Sequence, residues 1–410
     1  MGTQNSIITQ ERVGDVPTHR IHNFIKKVLQ PSVFENLVAY VHWRVEVNKG
    51  KPVPPPTFGP VSINLDITTA CNHYCHHCID LDLLNNGRRL SLSCTQTLIN
   101  QLVEHGLKSV IVIGGGEPSV HPQFEEIITF LKSKDLEVGI VSNGTRMDRL
   151  AKVAPLLTGP KDWMRLSLDA GTDESFAIIH NSKSKKTLTE ILREVKALRE
   201  QNSRFQMGFS FLALCEHFFG NNRPLRNNLR EIPAAAKLAR DHGFSYLSVK
   251  PFISPEASRI TDPDSEYVEE VKRQVALAKE YETDNFKVLE SFNLFALFTN
   301  QNERLRNQPK ICHSNFFRAV ATPDGIFSCP VWRGFKSFQL TPHDQDYSEN
   351  FDDYFNQNRI RHLNELDAKK ECAHVTCIYN DLNWFIEDLI THPEKLQTLK
   401  KEAEYQDYFL

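Results

Sequence analysis

From residue 62 the chain settles into a rhythm of short apolar strands and longer amphipathic helices. Ser62-Ile63-Asn64-Leu65-Asp66-Ile67 alternates polar and apolar positions, as a half-buried strand does. Residues 92–104 space their apolar positions as a helix does, and 109–113 form a β-branched strand. A helix over 123–132 precedes a strand over 136–141, which ends in Ser142-Asn143-Gly144. A strand over 163–168 ends in Asp169-Ala170-Gly171. Helix 188–199, strand 205–214, helix 229–242 and strand 246–249 complete the series. Six strands alternating with helices predict a parallel α/β sheet or barrel. Each polar or Gly-rich break falls at the carboxyl end of a strand, the face on which such sheets hold their sites.

The flanks read differently. Residues 21–47 carry a helical pattern, followed by Lys51-Pro52-Val53-Pro54-Pro55-Pro56, which cannot continue a helix and predicts an extended connector. Residues 253–311 read as a helical bridge, with a charged amphipathic helix over 266–281 that is most simply a solvated face. Val320-Ala321-Thr322-Pro323-Asp324-Gly325-Ile326-Phe327 reads as strand, tight turn, strand, because Asp-Gly favours hairpin geometry. A closing helix is expected over 382–402. There is no internal repeat.

Composition narrows the class. The 410 residues are 40% hydrophobic and 24% charged, which suits one large domain with a smaller one. A net charge of −3 supplies no drive towards nucleic acid or an anionic membrane. No apolar run reaches the roughly 18 residues of a membrane span, and the N-terminus lacks a secretory pattern. Met1-Gly2 with Ser6 matches a loose acylation pattern and is read as chance. A cytoplasmic location is expected, with neither nucleic acid nor membrane as partner.

The chemistry sits in the cysteines. Nine is an odd number, and seven of them are clustered. In a large chain without a secretory pattern, clusters point to metal rather than to disulfides. Cys71, Cys75 and Cys78 form a C-x3-C-x2-C loop directly after the first strand. Three thiolates leave a four-coordinate site one ligand short. Either His73, His76 or His77 closes a zinc site, or an iron–sulfur cluster keeps one iron open to something that is not protein. Cys312, Cys329, Cys372 and Cys377 form a second group. It is a structural zinc site, a set of buried thiols, or a second cluster. Cys94 reads as a small buried residue. Cys215, after the fifth strand, is a structural thiol or a hydrogen donor. Arg165, Glu216, His217 and Lys250 lie near strand ends, as solvated or paired side chains or as acid–base groups.

C-x3-C-x2-C after the first strand, Gly115-Gly116-Glu117-Pro118 after the second and Ser167-Leu168-Asp169 at the fourth resemble the radical S-adenosylmethionine (SAM) superfamily over residues 60–252. The resemblance implies that Cys71, Cys75 and Cys78 hold a [4Fe-4S] cluster whose open iron takes the SAM amino and carboxylate groups. It puts His77 beside the adenine and Gly115, Gly116 and Glu117 by the methionyl amine. Ser142, Asn143, Ser167 and Asp169 fall near methionine and ribose. The C-terminal segment is similar to the auxiliary-cluster domains called twitch or SPASM. That implies Cys312, Cys329, Cys372 and Cys377 as ligands of one further iron–sulfur cluster, of the [4Fe-4S] type. The downstream C-x4-C pair departs from the family pattern.

The expected architecture is therefore α/β: a partial (βα)6 TIM-like barrel over 61–252, an N-terminal helical extension over 1–60, a helical bridge over 253–311 and a small α+β auxiliary-cluster domain over 312–410. The implied activity is reductive cleavage of SAM to a 5'-deoxyadenosyl radical. That radical abstracts hydrogen from a substrate carbon, and the carbon is then oxidised, giving dehydrogenation or a cross-link. Arg165 and Cys215 are the candidate catalytic residues. The rivals are a radical epimerase using a Cys donor, a peptide-modifying maturase, and a non-enzymatic metal-binding scaffold. Related enzymes act on small molecules or peptides and take electrons from a flavodoxin or ferredoxin.

Overall fold

The computed structural model describes residues 23–159, 161–202, 204–216, 219–220, 223–252, 263–342 and 351–410. Leaving aside a two-residue ribbon at 219–220 and 223–224, its strands are β1 Ser62–Leu65, β2 Ser109–Val112, β3 Glu137–Ser142, β4 Trp163–Ser167, β5 Gln206–Ala213, β6 Tyr246–Pro251 and β7 Lys287–Glu290. The series ends with β8 Arg318–Thr322, β9 Gly325–Phe327 and β10 Gln339–Pro342. All ten lie in one sheet, ordered β10-β9-β8-β1-β2-β3-β4-β5-β6-β7. The pairs from β1 to β7 are parallel, with helices returning the chain between them.

One face of this sheet is the core. Met164, Leu166, Met207, Phe209, Phe211, Leu247 and Val249 are fully buried on it, at every second strand position. The opposite face carries Trp163, Arg165 and Ser167 on β4, and Tyr246, Ser248 and Lys250 on β6. That polar face is the inside of the partial barrel. Phe409 closes it from below, its ring 5.6 Å from that of Trp163.

Three features differ from the sequence reading. The stretch expected to be a helical bridge contains β7, a strand of four residues too short to show its period beside the long helix Ser265–Lys279. The expected N-terminal helix is broken at Gln30, with Phe24–Val28 on one side and Pro31–Asn48 on the other. The closing helix is Asn380–Thr391 and stops before Pro393, because the proline ring drives His392 out of the helical region. The hairpin around Asp324-Gly325 forms where expected. Its first strand also pairs in parallel with β1, Ser62 opposite Arg318, so the C-terminal strands extend the barrel sheet.

A second apolar cluster joins the two ends of the chain. Leu37, Tyr40 and Val41 pack with Phe316, Phe317, Leu382 and Ile386. Tyr40 is hydrogen-bonded to His313 at 2.9 Å, and His313 to Glu387 at 2.7 Å.

Candidate SAM and cluster site

β1 delivers the chain into the cysteine loop at one end of the barrel. The Cys71 N–H donates to Asn85 Oδ1 at 2.9 Å, and the Cys78 N–H to the Cys75 carbonyl at 3.1 Å, so the loop is shaped by the Asn85 side chain and by its own backbone. The three thiols are half-buried and unpaired as disulfides. Burial pushes the Cys71 thiol up to about 11 and the Cys78 thiol up to about 12, and raises Cys75 further. Thiolates in this pocket need a cation. Among the described residues, the ligand sets lying within 4.8 Å are His73–Cys75–His180 and His77–Asp169–His180, not the three thiols. A zinc ion with Zn–S near 2.3 Å needs its sulfurs roughly 3.8 Å apart. The three thiols, not all within 4.8 Å of one another, are not gathered that tightly. Both nitrogens of buried His73 lack a hydrogen-bond partner. His180 Nδ1 is 3.2 Å from Cys75 Sγ, with its Nε2 against the Leu168 carbonyl at 2.9 Å. These imidazoles are a ready shell around that sulfur.

The next three strand ends converge on the loop. The Glu117 N–H donates to the Ala70 carbonyl at 2.8 Å. The Glu117 carboxylate accepts from Ser142 Oγ and from the Asn143 N–H, both at 2.7 Å, and from the Ser119 hydroxyl. Burial raises its carboxyl, and these donors oppose the rise. Asn143 Nδ2 reaches Asn72 Oδ1 at 2.8 Å, tying the third strand to the cysteine loop. Gly115 takes φ +81°, which turns the loop around Asp66. At the fourth strand end, Asp169 sits at φ +50°, fixed by the Leu212 N–H at 2.7 Å, with His77 Nε2 3.5 Å away. Burial opposes its charge, yet the His77 and His180 rings leave its carboxyl below the usual range. Ser167 stands in register with Ser210 on the polar face. Cys71, Cys75, Cys78, His77, Gly115, Gly116, Glu117, Ser142, Asn143 and Asp169 thus gather at one end of the barrel.

One group was missed from the sequence. Arg333, four residues past Cys329, enters beside the Gly114–Glu117 loop. Its Nε donates to Asp80 Oδ1 at 2.7 Å, its Nη2 also bonds Asp80, and its Nη1 donates to Asp66 Oδ2 at 2.9 Å. All three side chains are buried. One guanidinium between two carboxyls leaves a negative charge in excess. Burial, only partly offset by Arg333, pushes the deeper Asp66 carboxyl well up. Beside them lies a cavity of about 10 Å³, room for one water, lined by Asp66, Thr69, Gly115, Thr322 and Arg333 among others. A charged residue at the end of β1 was the one available signal.

The second thiol group also assembles. Cys312, Cys329, Cys372 and Cys377 approach closely enough for their charges to raise one another, after burial as the larger cause. Backbone N–H groups of Val331 and Trp332 face the Cys329 sulfur. Asn383 Nδ2 points at Cys312 Sγ from 3.7 Å. N–H groups aimed at sulfur are the usual surroundings of an iron–sulfur centre. Tyr379 lies beside Cys329 and Cys377 and bonds Arg318, which reaches Asn64 on the polar face at 3.4 Å.

The remaining candidates are scattered. Cys215 is 5% exposed and belongs to the apolar core. Cys94 lies on the helix Leu92–Glu104, packed against the same core. Glu216 accepts from Asn227 at 2.6 Å on the surface. His217 lies outside the described residues. Arg165 and Lys250 lie on the polar face, where burial and then the Arg165 charge lower Lys250.

With this geometry, the comparison with known proteins is direct. Residues 65–212 match the radical SAM superfamily. It is similar, at 34% identity over 111 residues, to an S-adenosylmethionine-dependent nucleotide dehydratase of Thermoplasmatales archaeon strain ISO4-H5, covering 27% of this chain and 38% of that one. It is 27% identical over 195 residues to a GTP 3',8-cyclase of Chlorobaculum tepidum, covering 46% and 54%. The matches thus span about half or less of these relatives. The fold is shared with Streptococcus suis SuiB bound to its precursor peptide SuiA, at a TM-score of 0.53 and 14% identity, over 78% of this chain and 70% of that one. The superfamily matched over 65–212 implies a [4Fe-4S] cluster and SAM, and the residues at the barrel end fit both. Among the described residues, no helix is long and apolar enough to cross a membrane.

Proposed function

We propose that this chain is a radical SAM enzyme that oxidises its substrate at carbon. Cys71, Cys75 and Cys78 would hold a [4Fe-4S] cluster, which with SAM would supply hydrogen-atom abstraction from a substrate carbon; Cys312, Cys329, Cys372 and Cys377 would hold a second iron–sulfur cluster, which would supply an acceptor for the electron left when that carbon loses a proton. The net change is a two-electron oxidation, giving an unsaturated or cross-linked product. A flavodoxin or ferredoxin supplies the electron that starts each turnover. The observation that carries this reading is the tying of the cysteine loop to the second and third strand ends, through Glu117 to Ala70 and Asn143 to Asn72.

The chain's own residues divide the work. Cys71, Cys75 and Cys78 hold the first cluster, with His73 and His180 beside Cys75. Glu117 fixes the Ser142–Asn143 turn where the methionyl end lies, and His77 with Asp169 fixes the adenosine side. The apolar surroundings of Cys215 support oxidation over epimerisation, because a hydrogen donor must face the substrate. Anaerobic reconstitution with iron, sulfide, SAM and dithionite should yield 5'-deoxyadenosine, and Cys75→Ser should yield none. Equal yields from both proteins defeat the proposal. Cys377→Ala should still cleave SAM while losing half of its iron and the oxidised product.

A further inference from the structure

The inside of the barrel carries two cationic side chains, Arg165 and Lys250, that form no ion pair among the described residues. Arg165 on β4 has no hydrogen bond to any described residue, and its Nε is buried without a partner. It lies 5.2 Å over the Trp163 ring. The Lys250 side chain on β6 makes no ion pair or hydrogen bond among the described residues, and burial together with Arg165 lowers it from 10.5 to about 7. Among the described residues the carboxylate acting on it is Asp169, which is occupied by the Leu212 N–H and by His77. Register sets Arg165 level with Gly208 and Tyr246, and Lys250 level with Leu212 four positions further along the same face. Two cations on one such face without a bonded acid cost stability unless a ligand supplies the counter-charge. Register places Ser167, Ser210 and Ser248 in one row across β4, β5 and β6, on the face that also carries Arg165 and Lys250. The floor is aromatic. A side chain at Gly139 would strike the Trp163 ring, and one at Gly208 the Tyr246 ring, so the two glycines let both rings lie across neighbouring strands.

We propose that Arg165 and Lys250 are the docking site for a phosphate group on a small-molecule substrate, seated on the Trp163 and Tyr246 rings with the serine row beside it. The chemistry favours phosphate. A carboxylate is satisfied by one guanidinium fork, whereas a phosphate dianion uses a fork, a second point charge and hydroxyl donors together. Flat rings with hydroxyls alongside suit a nucleoside or sugar phosphate. The inference rests on the radical SAM reading for its site, and the two are tested apart.

The test uses reconstituted holoprotein with SAM present, and equilibrium dialysis of GTP, inorganic tripolyphosphate and a glutamate-rich peptide. Retention of GTP or tripolyphosphate is expected. It should weaken at least tenfold in Arg165→Met and in Lys250→Met and recover in part in Arg165→Lys, with SAM affinity and the cluster electron paramagnetic resonance signal intact. The proposal is overturned if no phosphate probe is retained, if both variants bind like the parent, or if the peptide is preferred with the same dependence on Arg165. Failure of the parent to form 5'-deoxyadenosine would instead strike the enzyme reading, since dialysis does not need turnover.

Discussion

Arg333 and the Arg165–Lys250 pair are cations inside the same protein, a few strands apart, and they are treated in opposite ways. Arg333 is answered by two carboxyls with bonds to both. Arg165 and Lys250 have no carboxyl bonded to them among the described residues, Asp169 acting on Lys250 only through space. A buried charge with its partners in place is scaffolding, and removing it strands the acids it served. A buried charge without partners is a standing cost, which makes sense where a ligand completes it. The first group fixes the relation of the cysteine loop to the glycine loop. The second leaves a place inside the barrel open to negative charge.

The sharpest way to break this contrast is Arg333→Met. It should cost about 3–5 kcal/mol in chemical denaturation, because Asp66 and Asp80 lose their shared partner. Adding Asp66→Asn and Asp80→Asn should return more than half of that loss; no recovery would mean that Arg333 acts through packing alone. Lys250→Met should do the opposite and raise the melting temperature of the metal-free protein. The sign follows from the lowered value. Between about 7 and 10.5 the unfolded chain holds a proton that the folded lysine does not. The cost of keeping lysine is therefore full below pH 7 and fades as pH rises towards 10.5. The gain in Lys250→Met should be largest near pH 6.5 and small near pH 10; a constant gain refutes the unpaired cation. Arg165→Lys should be the mildest change, within about 0.5 kcal/mol of the parent, visible mainly as weaker phosphate retention.

Much of the barrel could be read from residues 62–251, because strand and helix periods are local and each turn carries its own glycine or asparagine. The cysteine loop was legible for the same reason: its chemistry lies in eight consecutive residues. Arg333 was not, since its partner Asp80 is 253 residues away and an arginine after Cys-Pro has no local signature. His180 was equally silent, being an ordinary helix-end residue until the fold lays it against Cys75. β7 escaped because four residues hold only two periods of alternation. The helix end at Thr391 was available in the sequence, in the His392-Pro393 step, and was overrun by the apolar pattern beyond it.

The pairing of β1 with β8 fixes an order of events. Asn64 and Arg318 lie 254 residues apart and are bonded across neighbouring strands. The strand that feeds the cysteine loop therefore has one edge unpaired through most of synthesis and gains that neighbour only after β2 to β7 have been made. Contacts of such separation are slow to form, since the loop must close before they repay it. Loading the first three cysteines with iron before β8 docks would place metal on a loop whose supporting strand is still half-built. The strand that leads into the three cysteines is thus among the last to be closed on both edges.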